Sequence, residues 1–137
     1  MLSFFVVSES PVPGGRSIDT PEFSKLGYIR AQPDMVVLRL QSIATNTAHS
    51  FSRYAGKTTE VDEPAVTIVM FPADVKRFAQ LTRQNVGNRL LLMLADRPLI
   101  APIIRMPIET SSLQLTLGKR TDADRIRDDL KSLVQHE

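Results

Sequence analysis

Only His49 and His136 carry side chains that move protons near neutral pH without a perturbed pKa. A small hydrolase or transferase built on His49, with arginines gathering an anionic substrate, would need an orienting group beside the ring. No such partner stands at motif spacing. His49 lies in a polar stretch and His136 is one residue from the last, so solvated rings are the plainer reading. Metal chemistry finds no His-x3-His pattern, the one His-Glu pair being His136-Glu137 with no second His beside it, and Asp62-Glu63 has no Gly-punctuated calcium loop around it. There is no Cys, which removes thiolate sites and disulfides, and no G-x-S-x-G elbow presents a serine. Gly56-Lys57-Thr58 looks like the end of a phosphate loop, but the motif's first Gly would fall at position 51, which is Phe. Gly14-Gly15 sits among prolines that discourage the helix an anion cradle requires, so a loop turn is expected there. The expectation is a chain with no catalytic residue, no cofactor and no metal site.

Two groups of residues point instead to binding. Arg83, Arg89, Arg97 and Arg105 fall near the ends of successive elements and could face an acidic partner, although solvated surface positions are the plainer reading. The apolar run 99–108 is broken by Pro102 and Pro107. Pro102 removes a ladder donor, which places this segment at a sheet edge or breaks it there, where an apolar patch or an edge accepting an extended chain can form. The expected partner-binding residues are Arg97, Leu99, Ile100, Pro102, Ile103, Arg105 and Met106.

The polar cluster in "LTRQNVGNRLLLML" (81–94) has a structural explanation. Pro72 suits the first turn of a helix, and Val75, Phe78, Ala79, Thr82 and Val86 follow the spacing of a buried stripe. Arg83, Gln84 and Asn85 then lie in the last turn, where a cation and amides satisfy the free carbonyls, and Gly87 stands where a left-handed residue would close the helix.

The other elements follow from periodicity. Leu2 to Val7 reads as a strand ended by Ser8-Glu9-Ser10-Pro11. Residues 11–34 hold four Pro and three Gly, yet Phe23, Leu26, Tyr28 and Ile29 are apolar, so an ordered loop laid over the core is expected. Residues 35–48 alternate as one strand with room for a bulge at Gln41-Ser42, and 49–64 reads as a hairpin tip or flexible crossover. "AVTIVMF" (65–71) is a strand covered on both faces, Leu90 to Leu94 begins another, and "LQLTLG" (113–118) buries Leu113, Leu115 and Leu117 on one face. Thr121 with Asp124 resembles a capping box opening a last helix whose stripe is Ala123, Ile126, Leu130, Leu133 and Val134. The sum is an α+β fold, mixed or antiparallel, with β-α-β-β-β-α order over 65–137, both helices on one sheet face, and N-terminal strands added by 2–48. One domain over 1–137 is expected.

Charge adds little. The chain has 17 Lys+Arg against 15 Asp+Glu, and the basic residues are scattered rather than striped, which argues against nucleic acid. The opening "MLSFFVVSES" has no basic n-region and too short an apolar run for a secretory leader, and no stretch reaches the roughly 20 apolar residues of a membrane span.

Residues 65–134 resemble the head subdomain of the first periplasmic domain of SecD, a subunit of the bacterial preprotein translocase. The residues that carry this are Phe78, Thr82, Asn85, Gly87, the Ala101-Pro102-Ile103-Ile104 step, Pro107-Ile108, the "LTLG" strand and the helix opening Thr121-Asp122-Ala123. Residues 2–48 match through an "FFVVSE"-like first strand. The chain departs from the family at Asp96-Arg97, where Asp-Gly is usual, and at Thr110-Ser111, where a Gly pair is common. The resemblance implies an extracytoplasmic, non-enzymatic module that touches a polypeptide or a cell-envelope protein. It does not imply translocation, because the family's membrane-spanning helices have no counterpart in this sequence. The readings left beside it are the His49 enzyme and a structural subunit of a larger assembly.

Overall fold

The computed structural model describes all residues except 22, 55, 96, 117–119 and 135–137; the side chains of 48–54, 57, 59–61, 120 and 121 also lie outside the description. The chain divides into two compact units, each discontinuous in sequence: 1–38 with 71–110, and 39–70 with 111–137. Residues 65–137, read above as one core, therefore contribute to both.

The first unit is built on a sheet with strand order β4-β1-β7-β8, formed by β1 (Leu2–Val7), β4 (Met35–Val37), β7 (Arg89–Leu94) and β8 (Arg97–Ile100). All its pairings are antiparallel. Neither β1 nor β7 alternates in sequence, because both faces are covered. On one face Phe4 meets Phe78 of α1 (Pro72–Gln84), with ring centroids 5.2 Å apart. On the other, Phe5, Val7, Leu91 and Met93 pack with Ile18 and Ile29, and Phe23 and Leu26 lean against them. These last four come from the Pro/Gly-rich segment, which is an ordered cover as expected and includes a small hairpin of β2 (Arg16–Ile18) and β3 (Gly27–Ile29). At its far end Asp34 accepts a hydrogen bond from the Val6 N–H (2.8 Å), supplying the partner that β4, ending its register at Phe4, does not.

The second unit has a three-stranded antiparallel sheet, order β5-β6-β9, from β5 (Ser42–Tyr54), β6 (Lys57–Val69) and β9 (Ser112–Thr116). Helix α2 (Arg120–Leu130) packs on β5 and β6, and Leu40, Ile68, Leu113, Leu115, Ala123, Ile126 and Leu130 are buried.

The α+β class and the β-α-β-β-β-α order agree with the sequence reading, but each unit has its own sheet and its own helix rather than both helices sharing a face. Two further details differ. The segment read as one strand over 35–48 breaks at 38–41, and the crossing reverses the side-chain pattern: Leu38 is 70% exposed whereas Leu40 is wholly buried. Residues 49–64 form the hairpin tip, one of the two readings, extending a 13-residue antiparallel ladder to a turn at Gly56, and not the flexible crossover. Helix α2 begins at Arg120, one residue before the expected cap Thr121, and Leu117 lies outside the described residues.

Candidate functional site

The cluster at the end of α1 is a structural joint. Thr82 is wholly buried; its hydroxyl reaches the Phe78 carbonyl (3.0 Å) and accepts the Ile108 N–H (2.9 Å), tying residue 108 to the helix. The Asn85 side-chain amide donates to the Leu81 carbonyl (2.8 Å), one of the carbonyls a helix end leaves free. Arg83 pairs with Glu109 at 2.6 Å on open surface. Gly87 has φ 92°, the left-handed conformation expected, but its N–H goes to the Ile104 carbonyl (2.7 Å). It therefore helps to hold the 102–104 segment against β7 instead of closing the helix. Val86, read as part of the buried stripe, is 49% exposed because the helix has ended before it.

That segment carries the expected partner-binding residues. Ala95, with φ 53°, lies in the tight turn that brings Arg97 opposite Leu94, and β8 then runs along β7 as the outer strand. The register shifts between Leu92 and Met93, and β8 stops at Ile100. The chain nevertheless stays beside β7. The Leu90 N–H donates to the Pro102 carbonyl and the Ile104 N–H to the Asn88 carbonyl, both at 2.8 Å, with Ile103 opposite Arg89. Pro102 occupies a ladder position where it accepts but cannot donate, which explains why the strand is broken there. Of the expected residues, Ile100 is buried and Leu99 and Pro102 are half-buried, so these serve packing. Arg97, Ile103, Arg105 and Met106 are exposed; Ile103 is 43% and Met106 67% accessible.

Ile103 also borders a groove of about 570 Å³ at the end of the sheet, whose opposite wall is the chain leaving β1, Val6 to Ser10, with Leu26. A second depression of about 550 Å³ shares Glu9 and Leu26 with the first. Sequence reasoning missed these walls. Ser8-Glu9-Ser10 read only as a strand terminator, yet Ser8 exchanges backbone hydrogen bonds with Tyr28 at 2.8 and 2.9 Å, which carries the chain across the groove. Of the four arginines, Arg83 bonds Glu109 and Arg89 reaches the Ala101 carbonyl at 2.6 Å. In the backbone ladder His49 lies opposite Asp62, but its side chain lies outside the described residues, as does His136. Among the described residues no group of three or more acidic or histidine side chains is placed to hold a metal, and no helix is long and apolar enough to cross a membrane.

No family model matches the chain. Two solved structures of SecDF do, one described as a membrane component that enhances protein export and one in a super-membrane-facing form. They have TM-scores of 0.57 and 0.58, 23% identity in each case, and cover 96% of this chain. The fold is SecD-like. In sequence, the protein translocase subunit SecDF of Thermus thermophilus is 42% identical over 45 residues, or 33% of this chain. The SecD subunits of Acidaminococcus fermentans and Calditerrivibrio nitroreducens are 35% identical over 57 residues and 34% over 59. The chain spans 6% to 14% of the length of these curated relatives, and 61% and 18% of the two solved SecDF chains. The SecD-like expectation drawn from Phe78, Thr82, Asn85 and Gly87 thus agrees with both comparisons, and the first three of these side chains serve the fold itself.

Proposed function

We propose that this chain is a non-catalytic binding module that contacts a polypeptide on the outer side of a bacterial membrane, in or beside the protein-translocation machinery. The observation that carries this reading is the exposure of Ile103 and Met106 on the Pro-broken edge 97–106, with Ile103 bordering a groove of about 570 Å³. Isolated exposed apolar residues are ordinary on monomers, but two on one short segment flanked by Arg97 and Arg105 form an amphipathic strip suited to a chain of mixed apolar and acidic character. The SecDF likeness supports the extracytoplasmic placement and the polypeptide class of partner.

The test is fluorescence anisotropy of the full chain with a dye-labelled, permanently unfolded polypeptide. Wild type should bind, with Ile103→Asp and Met106→Asp each weakening binding at least fivefold and Arg105→Glu weakening it in a salt-dependent manner. Equal affinities for wild type and all three folded variants would remove this surface from the account.

A further inference from the structure

We propose that the partner adds to the sheet as an extra strand, pairing with the outward-facing backbone of Ile103. This rests on the polypeptide-binding reading above and specifies how that contact is made. The two hydrogen bonds between this segment and β7 straddle the Arg89–Ile103 pair: Leu90 N–H to Pro102 C=O and Asn88 C=O from Ile104 N–H. In an antiparallel ladder, residues facing each other between such bonds form the pair whose own N–H and C=O point away from the partner strand. For Arg89 those groups turn towards β1, where it lies opposite Val7. For Ile103 they turn away from the sheet, and neither has a partner among the described residues.

The rest of this edge is guarded. Pro98 has no N–H to offer, a register shift interrupts the ladder beside it, and the Ala101 carbonyl is taken by the Arg89 guanidinium. Prolines and bulges are the devices that keep sheet edges from recruiting strands. Ile103 keeps both of its outward backbone groups without a partner among the described residues, and its side chain is apolar and 43% exposed. Ile103 and Arg105 are both exposed around the buried Ile104. The occupant that fits is an extended segment of another polypeptide, with an apolar residue opposite Ile103 and a carboxylate within reach of Arg105. One residue's pair of backbone hydrogen bonds gives a weak contact that tolerates many side-chain sequences, since backbone supplies affinity and pockets supply specificity.

The test compares Ile103→Pro with Ile103→Ala in the full chain. The Ile103 N–H takes no part in the ladder with β7, so proline deletes the outward donor while the bonds through Pro102 and Ile104 remain; alanine deletes the side chain and keeps the donor. The probe is an acidic, valine-rich extended peptide of about ten residues, used unmodified and with alternate backbone amides N-methylated in each of the two registers. The expected result is that Ile103→Pro binds roughly three- to tenfold more weakly than Ile103→Ala, the scale of one net backbone hydrogen bond, and that only one methylation register abolishes binding. Equal affinities for the two variants, or equal loss in both registers, would overturn strand addition while leaving side-chain docking intact. Binding by neither wild type nor variants to this peptide or to the unfolded polypeptide would sink the polypeptide-binding reading as well. A concentration-dependent dimer of wild type in sizing chromatography, abolished by Ile103→Pro, would assign the open edge to a second copy and overturn the proposal.

Discussion

Replacing Thr82 with valine removes one oxygen from the joint at the end of α1 and almost no volume. The hydroxyl is the acceptor for the Ile108 N–H at 2.9 Å in a site where Thr82 has no exposure at all. A buried donor left without an acceptor costs about 1–3 kcal/mol. Ile108 is half-buried, which lowers the upper bound, and the new methyl recovers part of the loss, so we expect about 1–2 kcal/mol. With a urea dependence near 2 kcal/mol/M, the midpoint should fall by roughly 0.5–1 M. The more specific measurement is amide exchange. Protection of the Ile108 amide should drop about tenfold, since 1.4 kcal/mol is a factor of ten, while the β1 and β7 amides lose no more than the global stability lost. Thr82→Ser provides the control, because it keeps the hydroxyl and should keep Ile108 protected even though the lost methyl lowers the midpoint. A Thr82→Val protein with an unchanged Ile108 exchange rate would refute the claim that this polar cluster serves geometry.

The Arg83–Glu109 pair should contribute little despite its short distance, because both side chains are 61% exposed; a double-mutant cycle should return less than about 1 kcal/mol of coupling. Gly27→Ala should destabilise by more than about 2 kcal/mol in urea unfolding, since φ is 141° and an added Cβ would lie 2.6 Å from the Ser8 carbonyl oxygen, within the crossing that walls the groove. Phe78→Ala should cost about 3–5 kcal/mol by the same measurement, because it empties the space against Phe4 that joins helix to sheet.

What could be read from the residues was local. Pro72 opening a helix, Leu113 and Leu115 marking one buried face, and Pro102 breaking an edge each depend on a side chain's own stereochemistry, and each appears where its type requires. The division of strands between two sheets was not legible, because Met35 to Ala48 keeps an acceptable alternation through the break. Nothing local distinguishes Leu38, which faces water, from Leu40, which does not. The proposed binding strip was legible in part: exposure of Ile103 and Met106 follows from an apolar run on a broken edge, but the burial of Ile100 depends on strands distant in sequence. The groove depends on Ser8 meeting Tyr28 across nineteen intervening positions, a contact no periodicity announces.

The order of the strands also sets a timetable. Because β1 is flanked by β4 and β7, it cannot complete its sheet until residues near 94 have left the ribosome, after the whole β5–β6 hairpin has been made. Two very apolar strands must therefore wait for each other with only β4 and the proline-rich cover available in the meantime. Such long-range closure slows folding and leaves sticky surface uncovered for longer. A newly made chain of this kind is thus itself, for a while, an extended apolar polypeptide in need of a holder.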